Sequence, residues 1–111
     1  MPEPRIKAGI WVAAYLARLE QQAIPAFVVR RGDETAGAVL VKVATMDGQA
    51  RVFQRSFDLL TGARTWIVLA EGEEALVDEA VARQRRFDPD LWVIEVEDRA
   101  GRHLLGEEGL E

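Results

Sequence analysis

Cysteine and asparagine are absent from this 111-residue chain, and histidine and serine occur once each, as His103 and Ser56. The first absence excludes a disulfide framework and any thiolate metal site. One histidine cannot build a multi-histidine zinc or iron centre. Ser56 lies inside a strand-like stretch, with no Gly-x-Ser-x-Gly turn around it, so a serine hydrolase has no footing. Neither Gly-x-Gly-x-x-Gly nor Gly-x-x-x-x-Gly-Lys occurs, which removes the usual glycine-rich phosphate cradles. Long hydrophobic runs are also missing. The longest near the start, Ala8 to Leu16, contains Gly9 and Tyr15 and falls well short of the about 20 residues that span a bilayer. The expectation is a cytoplasmic protein with no membrane contact.

What is present suits one globular domain. Hydrophobic residues make up 49 % and charged residues 30 %, too apolar for a disordered chain. A chain of this length buries roughly 60–70 % of its unfolded surface on folding. The expected layout is a single domain over residues 1–105 with a frayed acidic tail over 106–111.

The net charge is −5, which disfavours a general nucleic-acid binder, but it is unevenly spread. Residues 1–69 carry +3 and residues 70–111 carry −8. Arginine outnumbers lysine twelve to two.

Hydrophobic spacing predicts a helix over Ile6–Gln22, with Ile6, Ile10, Ala13, Ala14 and Ala17 as one stripe and Trp11, Tyr15 and Leu19 as a flanking one. Strands are predicted at Ala26–Arg31, Ala38–Thr45, Ala50–Phe57 and Arg64–Leu69. A second helix follows over Gly72–Phe87, stopped at Asp88-Pro89, and then a fifth strand over Leu91–Glu97. His103–Leu105 is a candidate short edge. The fold class is therefore α+β, in the order α-β-β-β-β-α-β. The expected architecture is a two-layer sandwich: a mostly antiparallel sheet, a meander over its first four strands, and both helices on one face.

The blocks RRGDETAGAVLVKV and RQRRFDPDLWVIEVEDRAGRHLL, preceded by IWVAAYLARLE, resemble a small bacterial family known as the domain of unknown function 1491. The resemblance implies a compact, soluble, stand-alone protein. It implies no activity, substrate or catalytic residue.

Four places could carry chemistry. Reading Asp47-Gly48 as a two-residue hairpin turn pairs Val43 with Val52 and Lys42 with Phe53. Val39, Val41, Val43 and Val52 then face the core, while Lys42, Arg51, Phe53 and Arg55 share an open face. Those four are the binding candidates, for a protein partner, a second copy or a single-stranded nucleic acid. The acidic cluster Asp88, Asp90, Glu95, Glu97 and Asp98 is the second place. Glu95 and Glu97 lie roughly 7 Å apart on one strand face and could share a divalent cation, but the Pro-Asp…Glu-x-Lys nuclease pattern has Glu97 in its lysine slot. Arg83, Arg85 and Arg86 end the second helix and suit its dipole. His103 is a lone imidazole near an edge. No catalytic residue, resident metal or cofactor is assigned. The leading expectation is a non-enzymatic protein-interaction module that pairs with itself, through Phe53, or with another protein. The alternatives are an RNA- or anion-binding module and a metal-dependent hydrolase.

Overall fold

In the computed structural model, which describes residues 6–111, the elements are α1 (Ala8–Gln21), β1 (Ala26–Arg30), β2 (Val39–Ala44), β3 (Gln49–Phe57), β4 (Arg64–Glu73), α2 (Glu74–Phe87) and β5 (Trp92–Glu97). The α-β-β-β-β-α-β order and the α+β class are those the sequence predicts. The sheet runs β1-β5-β2-β3-β4, antiparallel everywhere except between β2 and β5.

The expected four-strand meander holds only for β2, β3 and β4. β5 inserts between β1 and β2. The connection over 31–38 therefore crosses two strand spacings, about 10 Å, well within its reach. β4 passes directly into α2, which carries the chain back so that β5 enters parallel to β2. A parallel neighbour needs such a helical crossover.

The two helices lie on opposite faces of the sheet, not on one. α1 contributes Trp11, Val12, Tyr15 and Leu19 to a core with Val41, Val43, Phe53, Ile94 and Val96. α2 contributes Val77 to a second core with Leu40, Val52 and Leu91. Neighbouring strand residues alternate between these cores, as side-chain alternation requires, and every residue of β2 is buried as a result. The α1 stripe that faces the sheet is the one with Trp11, Tyr15 and Leu19. Ile10, from the other apolar stripe, is 60 % exposed.

The hairpin register also differs by one residue from the predicted one. Val41 pairs with Phe53, Lys42 with Val52 and Val43 with Arg51. The loop has three residues, Met46-Asp47-Gly48, with φ of 65° at Met46 and 86° at Gly48. Asp47 accounts for this. Its Oδ1 accepts from the Thr45 hydroxyl at 2.6 Å and from the Gln49 N–H at 3.0 Å, closing a longer loop than Asp-Gly alone suggests. The slip moves Phe53 to the α1 face beside Val41, while Lys42 stays on the opposite face, which α2 covers. Val39, Val41, Val43 and Val52 are all buried, as expected, but so is Lys42.

The tail does not fray. Leu105 and Leu110 are buried in the α1-side core, the Trp66 indole N–H donates to the Leu110 carbonyl at 2.8 Å, and Arg18 pairs with Glu107. His103–Leu105 forms no strand. It packs with the tail over the α1 side of the sheet, and Tyr15 donates its hydroxyl to the His103 carbonyl.

Candidate functional site

Lys42, Arg51, Phe53 and Arg55 do not form one open face. Lys42 is on the α2 side, 4 % exposed, and its ammonium donates to Glu74 and Asp78 at 2.7 Å and contacts Glu95 at 3.1 Å. Burial alone would lower its pKa. The hydrogen bonds to Asp78, Glu74 and Glu95 outweigh that and hold it above the ordinary lysine range. Phe53 is buried on the other side, 4.6 Å from the His103 ring, which removes the dimer contact expected there. Arg51 is exposed and pairs with Glu71. The rings of Trp11 and Trp66 contact each other at 5.4 Å, and the Arg55 guanidinium lies against both, at 5.1 and 4.8 Å. The sequence carried one signal for Lys42. It is the single charge in the run AVLVKVAT, and α2 places two carboxylates, Glu74 and Asp78, four residues apart on one helix face.

Of the carboxylate pair considered for a cation, Glu95 is already engaged by the Lys42 ammonium. Among the described residues no group of three or more metal-ligating side chains is placed to hold an ion. Ser56 lies on the face of β3 opposite Phe53, and His103 packs against Phe53, so the sheet separates the one serine from the one histidine. Arg85 donates to the carbonyls of Pro89 and Leu91 at 2.8 and 2.7 Å and so closes the end of α2.

Two surfaces remain open. α2 packs over β3 and β4, and on its side of the sheet the exposed strand is β1, at the outer edge. Phe27, 46 % exposed, stands there beside its strand partner Glu95. Glu74 and Asp78 of α2 and Glu95 of β5 surround the Lys42 ammonium, and Glu97 lies beyond Glu95 on the same strand face by alternation.

The second is a cavity of about 330 Å³ at the end of the sheet where β2 begins. β3 and β4 run on past that point as a hairpin, which leaves a notch beside the first turn of α1 and the last turn of α2. Its walls include Trp11, Trp66, Arg55 and Arg64, with Ile6 and Phe57 at partly exposed positions. The Trp11 Nε1–H is buried and has no acceptor among the described residues. Sequence reasoning missed this site because it needs the hairpin, α1 and the end of α2 together.

The family described as protein of unknown function DUF1491 matches residues 6–106. The chain belongs to the DUF1491 family. A DUF1491 protein from Caulobacter crescentus, solved by crystallography, is 43 % identical over 93 % of this chain and 97 % of that one, with a TM-score of 0.84. An NMR structure of a DUF1491 protein from the same organism is 42 % identical over 95 % and 96 %, with a TM-score of 0.81. A protein from A. tumefaciens, solved in solution, is 28 % identical over 85 % and 86 %, with a TM-score of 0.72. No curated protein matches the chain. DUF1491 membership thus confirms the resemblance and, like it, brings no activity. Among the described residues no helix is long and apolar enough to cross a membrane.

Proposed function

We propose that this protein is a non-catalytic interaction module whose exposed edge strand β1 receives a basic, amphipathic segment of another protein. The observation that carries this reading is the pairing of exposed Phe27, on the edge strand β1, with Glu95 of β5 at the border of a carboxylate-rich cluster. Glu74, Asp78, Glu95 and Glu97 against Lys42 leave three negative charges beside an apolar anchor. A partner with lysine or arginine on one flank and leucine-like side chains on the other satisfies both features.

The test uses a short Leu/Lys amphipathic peptide and its Leu/Glu counterpart, followed by amide NMR shifts on the intact chain. The reading expects shifts centred on Phe27, Glu95 and Glu97, salt-sensitive binding and a loss of about tenfold in Phe27→Ser. Shifts centred elsewhere, or equal binding of the Leu/Glu peptide, overturn it.

A second copy of the chain is the other partner with specific support, now at the β4 edge. Ile67 and Val68 are each 42 % exposed there. Arg64 stands at one end of the strand and Glu71 and Glu73 at the other, so antiparallel pairing of two copies sets each basic end against an acidic one. Sedimentation of the chain and of Val68→Lys tests this. A monomer at high micromolar concentration, or a dimer indifferent to the substitution, overturns it.

A further inference from the structure

The hairpin of β3 and β4 runs on past the start of β2. Its tip carries the two most exposed large apolar side chains among the described residues, Leu59 at 97 % and Leu60 at 96 %. Apolar residues scattered singly over a surface need no explanation, but two adjacent leucines held outward at the apex of a projecting turn do. The turn beneath them is closed. Asp58 Oδ1 accepts from the Leu60 N–H at 2.8 Å and from the Thr61 N–H at 3.3 Å. The Gly62 N–H donates to the Asp58 carbonyl at 2.8 Å, and the Ala63 N–H to the Thr61 hydroxyl oxygen at 3.2 Å. The N–H groups of residues 60 to 63 are thus all satisfied inside the loop, so they lose nothing when the tip leaves water.

Charge is polarised along the same direction. β4 runs from Arg64 beside the tip to Glu71 and Glu73 at the far end. α2 starts at that far end with Glu73 and Glu74 and comes back to finish with exposed Arg83 and Arg86. The start of α1, the loop over 31–38 and the segment after α2 meet the hairpin at the tip end as well. Residues 6–7, 30–36, 55–64, 83–91 and Glu111 make up this end. They include eight basic and six acidic residues, against five and twelve in the rest of the described chain. A protein with a net charge of −5 therefore has one net positive end, and the leucines project from it. Exposed Ile6 and Phe87 stand at the same end.

We propose that the hairpin tip docks on an anionic lipid surface, with Leu59 and Leu60 entering the boundary between headgroups and acyl chains and the arginines behind them meeting the anionic headgroups. Such a contact needs no spanning helix. It is reversible, because even a single acyl chain, with more apolar surface than two leucines, binds only marginally. The acidic far end, where β5 finishes at Glu97, then faces water.

The test floats the intact chain with vesicles of phosphatidylcholine, alone or with about one third phosphatidylserine. The chain has no cysteine, so Leu60→Cys takes a single environment-sensitive fluorophore. Met46→Cys places the same label on an exposed apolar residue at the acidic end. The chain should float with the anionic vesicles and not with the neutral ones, less so as salt rises, and the label at Leu60 should shift to the blue while that at Met46 does not. The double variant Leu59→Ser, Leu60→Ser should bind about tenfold less or worse at an unchanged thermal midpoint, since neither side chain is in the core. Arg86→Gln should bind about fivefold less. Equal flotation with neutral vesicles, flotation unchanged in the double variant, or an equal response of the two labels overturns the docking. So does the absence of flotation with the anionic vesicles, which would leave the leucines to a pocket on another protein.

Discussion

The Trp92 indole N–H donates to the Asp33 carbonyl at 2.8 Å, across 59 residues of sequence. The Asp33 N–H in turn donates to the Asp90 carbonyl at 2.9 Å. The loop over 31–38 and the Asp-Pro-Asp-Leu-Trp segment are thus two sides of one joint. This joint holds the connection that lets β1 skip over β5. A Cβ at Gly32 would meet the Asp90 carbonyl oxygen at 2.2 Å and Trp92 Cδ1 at 2.6 Å, so only glycine fits there.

Truncating Trp92, 3 % exposed, to Ala should cost about 3–5 kcal/mol. Gly32→Ala should cost about 1–3 kcal/mol or more through the same contact. Urea denaturation measures both. Because the two substitutions disturb one joint, the double variant should lose less than the sum. Additive losses would show that loop and strand are held independently.

Lys42→Met should destabilise the protein by about 3 kcal/mol, the low end for breaking a buried ion pair, because Glu74 and Asp78 keep 40 % and 56 % of their side-chain surface in water. Glu95, at 19 %, is the carboxylate left worst placed. Adding Glu95→Leu to Lys42→Met should recover part of the loss, since removing both partners leaves fewer uncompensated charges. Thermal unfolding of the single and double variants distinguishes this from a simple packing defect, which the second substitution would worsen.

The element order was legible because hydrophobic periodicity and breakers such as Asp88-Pro89 are local. Sheet order was not, because nothing local says that β5 enters between β1 and β2. The face assignment failed twice: the helices cover opposite faces of the sheet, and the Asp47 loop shifts the hairpin. Its side-chain hydrogen bonds add one loop residue, and one residue of slip reverses a face. The error spared the valines only because both faces of β2 are covered. The same slip dissolved the four-residue binding face, since Lys42 and Phe53 were grouped through the register.

The buried face of α1 gives a direct check. Ile10 is 60 % exposed, so Ile10→Gln should change stability by less than about 0.5 kcal/mol. Leu19 is fully buried, and Leu19→Ala should cost about 2–5 kcal/mol. A large loss at Ile10 would show that the alanine-rich stripe is buried as well.

His103 should titrate below its ordinary value of 6.5. Burial disfavours the imidazolium, and the Arg51 charge opposes it further. Geometry adds to this. The Leu105 N–H donates to His103 Nδ1 at 3.0 Å, so the neutral ring carries its proton on Nε2. Protonating Nδ1 would take the acceptor away from a backbone donor at a residue 2 % exposed. Because the folded state holds the imidazole neutral more firmly than the unfolded chain does, the contribution of His103 to stability is complete above 6.5. It declines as pH falls through 6.5 toward the lower folded value. An NMR titration of the imidazole should therefore give a midpoint below 6.5, and Arg51→Gln should raise that midpoint without restoring it fully, since the larger cause, burial, remains. A midpoint at or above 6.5 would mean that the ring is solvated and that the tail over Phe53 opens in solution.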